Sequence, residues 1–217
     1  MSNVMRLVVL LSGNGSNLQA IIDACEEQTI QGQIVGVISN RADAYGLERA
    51  RKAKIPTHTI DHTLFKARES FDQALINMID SYEADLIVLA GFMRILTEGF
   101  VQHYQGRLIN IHPSLLPAYK GTNTHERVLA EGATVHGASV HFVTAELDSG
   151  AVVAQVKVPV EAYDTASTLA ERVLRYEHVL YPTVLQWFCT GRLRLGKDGA
   201  YLDGELIDTP LQLVVEP

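Results

Sequence analysis

An asparagine and a histidine stand two residues apart at the end of an apolar run in residues 108–121, LINIHPSLLPAYKG, and two prolines follow closely. Side chains two apart in a strand share a face, so Asn110 and His112 are expected side by side. An amide donates a hydrogen bond to a developing oxyanion, and an imidazole moves protons near neutral pH; together they suit acyl transfer without a covalent intermediate. Pro113 lacks an N–H and biases His112 away from helical geometry, while Pro117 ends any turn made by Ser114, Leu115 and Leu116. The pair is therefore expected at the carboxyl end of a sheet strand, where open α/β sheets place their ligands. A carboxylate is needed to orient the imidazole and favour its charged form. Asp148, in the turn after ASVHFVTAEL, is the preferred candidate, because a loop acid at the end of a neighbouring strand reaches back into such a cleft.

The second constellation is SGNGSNLQA, residues 12–20, directly after the first apolar run. A helix N-terminus presents unpaired N–H groups and partial positive charge, and glycines let an anion approach that backbone closely. Gly13, Gly15, Ser16 and Asn17 can hold a phosphate in this way. Leu18 stands where a dinucleotide fingerprint requires its third glycine, and no Lys-Ser/Thr pair completes a P-loop, so one phosphate fits better than NAD or ATP. The competing reading is a tight strand-to-helix turn with Ser16 or Asn17 as N-cap.

Other histidines carry less. His58 and His62 flank a short strand and are expected in solvent, His103 and His178 lie on helices, and His125 and His136 border a helix and a loop. His136 and His141 are five apart and no HExxH occurs, so no metal is expected.

The elements that must position these groups follow from periodicity. RLVVLL, QIVGVIS, THTI and DLIVLAGF alternate with SNLQAIIDACEE, AYGLERARKA and FDQALINMIDSY, the pattern of parallel βαβ units buried on both faces. The fold class expected is α/β, with a Rossmann-like, doubly wound, mostly parallel sheet. Antiparallel character is expected in the C-terminal half, where ASVHFVT and VVAQVKVPV are joined through AELDSGA. A helix is expected over about residues 165–190, kinked or restarted at Pro182, and LRLGKDGAYLDGELI reads as a small hairpin. The chain reads as a single domain over 1–217, with a phosphate-binding half over about 1–105 and a catalytic half over about 106–217.

Among 217 residues the formal charge is −7, without a block of Lys and Arg, which argues against nucleic acid as a partner. No stretch reaches the roughly 18 apolar residues of a membrane helix, and VMRLVVLL is too short for a signal peptide. Cys25 and Cys189 read as small core residues of a reducing compartment, so a cytoplasmic location is expected.

SGNGSNLQAII, AGFMRIL, NIHPSLLP, GASVHFVTAELDSG and RVLRYEHVLYP, in that order across residues 7–191, resemble the phosphoribosylglycinamide formyltransferases, folate-dependent enzymes of purine synthesis. The resemblance implies that Gly15, Ser16 and Asn17 bind the phosphate of glycinamide ribonucleotide (GAR), with Glu177 near its amine. It further implies a groove for the co-substrate 10-formyltetrahydrofolate lined by Arg68, Met93, Arg94, Ile95 and Leu96, with Asn110, His112 and Asp148 as the catalytic set. Small-molecule substrates, no metal, and a monomer or homodimer are the corresponding expectations. By themselves Met93 and Leu96 read as core residues and Arg68 as a solvated charge. Ala118, Lys120 and Thr122 depart from the family's common pattern, which puts the detail of that loop in doubt. Formyltetrahydrofolate hydrolase and methionyl-tRNA formyltransferase share the Asn-His-Asp set but carry additional domains, and the chain's length is expected to exclude both. A noncatalytic folate- or nucleotide-binding module would need no Asn-His pair at a strand end.

Overall fold

The computed structural model describes residues 4–215. The chain divides into two compact units, the first ending at Asn110 and the second beginning at Ile111.

The N-terminal unit is a parallel sheet wrapped by helices. Its strands are β1 (Met5–Leu11), β2 (Gly32–Ser39), β3 (Thr57–Thr59), β4 (Leu86–Leu89) and β5 (Leu108–His112), the last of which carries the chain into the second unit. Their order is β5-β4-β1-β2-β3, parallel throughout. Leu7 to Leu11 and Leu86, Ile87 and Val88 have no exposed surface, as apolar runs covered on both faces require. The connecting helices are α1 (Ser16–Glu26), α2 (Tyr45–Lys52), α3 (Arg68–Asp80) and the short α4 (Glu98–His103), with a 3₁₀ turn at His62–Leu64. Periodicity does not mark α4, whose six residues are too few to show it; its signal is local, Thr97 Oγ1 accepting from Phe100 N at 3.3 Å as an N-cap. Strand order reverses at β1, which has β2 on one side and β4 on the other. The connections after β1 and β4 therefore leave in opposite directions and open a crevice between them.

The C-terminal unit contains α5 (Thr124–Ala130), the antiparallel pair β6 (Val135–Phe142) and β7 (Val152–Pro159), α6 (Ala166–Cys189), and the short strands β8 (Leu193–Leu195), β9 (Ala200–Leu202), β10 (Glu205–Leu206) and β11 (Leu211–Leu213). The β6–β7 pairing bears out the antiparallel character read from the sequence. β11 adds in parallel to β7, Leu211 against Ala154, a long return that local pattern does not announce. The small hairpin becomes a three-stranded sheet, because Asp203 and Gly204, both at positive φ, turn β9 back into β10.

α6 runs unbroken through Pro182 and does not restart there. Thr165 and Thr168 form a reciprocal cap at its start, with N–H to hydroxyl distances of 3.2 and 3.0 Å. Its buried stripe runs from Leu169 through Val173 and Glu177 to Val184 and Phe188 at three- and four-residue spacing. The two cysteines are half-buried and not part of the core; burial, aided by Glu26, pushes the Cys25 thiol up to about 11.

Candidate active site

In the N-terminal unit the crevice is a cavity of about 550 Å³ lined by the 12–17 loop, by Asn40, Arg41 and His62, and by the turn after β4 with Met93 and Arg94. Gly15 occupies the position before α1 with φ 74°, and no side chain caps the helix. Ser16 and Asn17 are thus inside the first turn rather than N-caps; the tight strand-to-helix turn is present, with Gly15 in the cap position. A glycine is required at 15 on two counts: the left-handed backbone, and a Cβ that would lie 2.5 Å from the Gly46 Cα. Gly46 N donates to Gly13 O at 3.0 Å, and Arg49 grips Asn14 through its carbonyl and side-chain oxygen, both at 2.9 Å.

Ser12 ties this loop to the turn after β4. Its Oγ donates to Asn40 Oδ1 at 2.5 Å and accepts from Met93 N at 2.8 Å, while Ser12 N donates to Gly91 O at 3.0 Å. Asn40 Nδ2 in turn lies 3.1 Å from His62 Nδ1. His62 is therefore a half-buried wall of the cleft and not the solvated residue expected from sequence, and His58 likewise pairs with the Tyr82 hydroxyl at 2.6 Å. Neither Ser12 nor His62 stood out in the sequence, since what marks them is contact across β1, β2 and β4.

Arg68 begins α3 and donates to Ile95 O at 3.0 Å, with Leu96 O at 3.5 Å, so it joins the segment with which it was grouped. Leu96 is buried, but Met93 and Ile95 are 68% and 58% exposed. Apolar side chains of that size held in solvent beside a polar cleft suit an apolar ligand surface, and Met93 is not the core residue that composition alone suggests. The Arg94 Nε is buried without a hydrogen-bond partner.

In the C-terminal unit His112 and Asp148 come together, His112 Nδ1 lying 3.6 Å from Asp148 Oδ2, with both side chains 8% exposed. His112 Nε2 is 2.9 Å from the Tyr119 carbonyl oxygen. A carbonyl only accepts, so Nε2 carries the hydrogen of this contact and Nδ1 is the nitrogen that faces the carboxylate. Asp148 Oδ2 also accepts from Gly121 N at 2.9 Å, and its Oδ1 lies 3.8 Å from His141 Nε2. His141 Nδ1 donates to Phe142 O at 2.9 Å, and burial lowers its pKa. Sequence reasoning missed His141, Tyr119 and Gly121: the last two act through backbone atoms, which leave no trace in residue type.

The loop after β5 is pinned by side chains from the β6–β7 pair. Ser139 Oγ donates to Ser114 O at 2.6 Å and accepts from Leu116 N at 3.0 Å, and Gln155 Nε2 donates to Leu116 O at 2.8 Å. The Leu116–Pro117 peptide is cis. His136 lies inside β6, fully buried, rather than at a loop edge; its Nε2 is 3.1 Å from His125 Nδ1, and burial, with the neighbouring His125 and His112, lowers its pKa to about 4. Glu177 sits on the buried face of α6, one turn before Tyr181, whose hydroxyl pKa is raised by burial and by Glu177. Asn110 precedes His112 by two on β5 and is half-buried. Among the described residues no group of three His, Cys, Asp or Glu is arranged to hold a metal, and no helix is long and apolar enough to cross a membrane.

The formyl transferase family model matches residues 5–185. Phosphoribosylglycinamide formyltransferase of Escherichia coli (strain K12) is 56% identical over 201 residues, 93% of this chain and 95% of the relative. That of Haemophilus influenzae is 47% identical over 93% of this chain and 95% of its own length. A solved phosphoribosylglycinamide formyltransferase from Coxiella burnetii superposes with a TM-score of 0.93 at 52% identity, covering 98% of this chain and all of its own. With a glycine loop and a histidine–carboxylate pair in family order, the chain belongs to the formyl transferase family and, within it, to the phosphoribosylglycinamide formyltransferases.

Proposed function

We propose that the chain transfers the formyl group of 10-formyltetrahydrofolate to the amine of 5-phosphoribosylglycinamide, giving formyl-GAR and tetrahydrofolate, with Asn110, His112 and Asp148 as the catalytic set. The observation that carries the catalytic part is the clamped imidazole: Tyr119 O holds one nitrogen of His112 at 2.9 Å and Asp148 faces the other at 3.6 Å.

The GAR amine attacks the formyl carbon, forming the new C–N bond and pushing the carbonyl electrons onto oxygen. Asn110 and the charged imidazole stabilise that oxyanion. The proton lost by the attacking amine and the proton gained by the leaving folate nitrogen balance, so His112 ends the cycle as it began. Asp148 keeps the imidazolium favourable and its ring oriented, and positions a water that carries protons between the two nitrogens. No covalent enzyme intermediate or metal enters these steps.

Recognition falls to the other groups. Gly15, Ser16 and Asn17, at a helix start that no side chain caps, are assigned to the phosphate, and Glu177 is assigned to the GAR amine. The exposed Met93 and Ile95, with Arg68, Arg94 and Leu96, are assigned to the folate. A single domain in the cytoplasm, as monomer or homodimer, completes the reading.

The test is a formyl-transfer assay with and without the ribonucleotide, with no added metal or ATP. Tetrahydrofolate release that depends on GAR supports the reading, and formate released to water without GAR sinks it in favour of a hydrolase.

A further inference from the structure

Lys120 is the residue of the 118–122 loop that the reaction leaves unused, and its surroundings are too specific for a solvated charge. Its Nζ donates to Ser149 Oγ and lies 4.0 Å from Glu146 Oε1, with the side chain only 37% exposed. Ser149 Oγ in turn donates to Leu147 O at 3.0 Å. The ammonium thus spans from the loop after β5 to the turn between β6 and β7 that bears Asp148.

What it spans matters because the two catalytic side chains are held by the backbone on either side of it. Tyr119 O holds His112 Nε2 at 2.9 Å, and Gly121 N donates to Asp148 Oδ2 at 2.9 Å. Lys120 contributes its own carbonyl to Arg127 Nη1 at 2.7 Å, which anchors the segment to α5. Tyr119 and Asp148 both sit at positive φ, 53° and 48°, a conformation uncommon for non-glycine residues and most of all for one as bulky as Tyr119. A slide of one turn against the other would lengthen both bonds together.

We propose that Lys120 is a positioning residue for the catalytic pair, latching the 119–121 segment onto the 146–149 turn and so fixing the separation and tautomer with which His112 faces Asp148. The charged and titratable groups around the latch are Asp148, Glu146, His112 and His141, with Arg127 and Glu131 from the α5 side, the latter taking the Tyr119 hydroxyl at 2.7 Å. Both Asp148 and Lys120 act on His141 electrostatically, in opposite senses, as a shared cluster requires.

The inference rests on His112 being the proton carrier, and the two are tested separately. Lys120→Met keeps the apolar stem and removes the ammonium, Ser149→Ala removes its partner, and Lys120→Arg restores a cation. On the full chain, kcat and both KM values are measured over about pH 6–9, together with the long-range ¹H–¹⁵N correlation of the His112 ring. Lys120→Met and Ser149→Ala are each expected to lower kcat about 10-fold, with the GAR KM changed less than about twofold, since a shift of an ångström at reacting groups is enough. The Nε2–H pattern of His112 should average in both variants and return in Lys120→Arg. A kcat within about twofold of the unaltered chain in both variants overturns the latch, as does a lower kcat with an unchanged His112 spectrum. His112→Ala with undiminished turnover would sink the catalytic reading instead, and the ring spectrum reports on the latch in either case.

Discussion

In the N-terminal unit the loop facing the cleft is built from backbone and neutral polar groups, a left-handed Gly15, an uncapped α1, and Ser12 and Asn40 joined hydroxyl to amide, with Arg41, His62 and Arg94 on the surrounding wall. In the C-terminal unit the cluster around His112 is built from titratable side chains, His112, His141 and Asp148, each braced by a main-chain atom. The first arrangement suits a ligand whose charge is constant and must be held. The second suits a proton that must move, where the donor's orientation decides the rate. Substitutions in the C-terminal cluster are therefore expected to cost turnover and those in the N-terminal cleft to cost substrate affinity.

The sharpest way to break the comparison is His112→Ala. Loss of a general acid/base costs about 10²–10⁴ in kcat, and the GAR KM should stay within about threefold because the proposed phosphate site lies elsewhere, at the start of α1. Steady-state kinetics decide it, and a KM effect equal to the kcat effect would merge the two regions. Asp148→Asn comes next, with about 10² off kcat. The amide oxygen can still accept from Gly121 N, so the loop stays in place and what disappears is the charge facing Nδ1. Undiminished turnover over about pH 6–9 would remove Asp148 from the mechanism.

The two regions were not equally legible in the sequence. RLVVLL followed by SGNGS announces a strand, a tight turn and a helix start within eleven residues, so the glycine cleft is local information. The αL requirement at Gly15 is likewise written in one residue. The prolines after INIH correctly marked the end of β5, and Asp148 was reachable as a loop acid. His141 was not, because its role comes from β6 lying where Asp148 can face it. Nor were Tyr119 and Gly121, which contribute a carbonyl and an amide that every residue possesses. The parallel return of β11 onto β7 and the unbroken passage of α6 through Pro182 are also tertiary outcomes, since neighbouring packing overrides what the local sequence prefers.

A third test uses the histidines of the C-terminal unit as acid sensors. His136 is held at about 4 by burial and by His125 and His112, below its unfolded value of about 6.5. Because the unfolded chain binds this proton first, stability rises with pH between about 4 and 6.5 and is lost as pH falls through that window. Between neutral pH and about 5 the loss from this one group is about 2 kcal/mol. His136→Leu should remove it, so unfolding in urea at about pH 7 and 5 is expected to give a smaller acid penalty for the variant. Equal penalties would mean that His136 is not held neutral by its site.

The smallest effect is expected from Ser12→Ala, and it tests the N-terminal cleft on its own terms. Ser12 Oγ joins the loop before α1 to the turn after β4, accepting from Met93 N at 2.8 Å while donating to Asn40 Oδ1 at 2.5 Å. Removing it leaves a part-buried amide N–H and a buried amide oxygen to find other partners, a cost of about 1–2 kcal/mol. Part of that cost falls on stability. The rest appears as looser placement of Met93 and of the 12–17 loop, which line the same cavity. Both the GAR and folate KM values are therefore expected to rise together, each about fivefold, while kcat stays within about twofold, the signature of lost uniform binding. A fall in kcat without a change in either KM would place Ser12 with the proton-handling groups. The contrast between a cleft that holds and a cluster that moves protons would then fail at the residue built most plainly for holding.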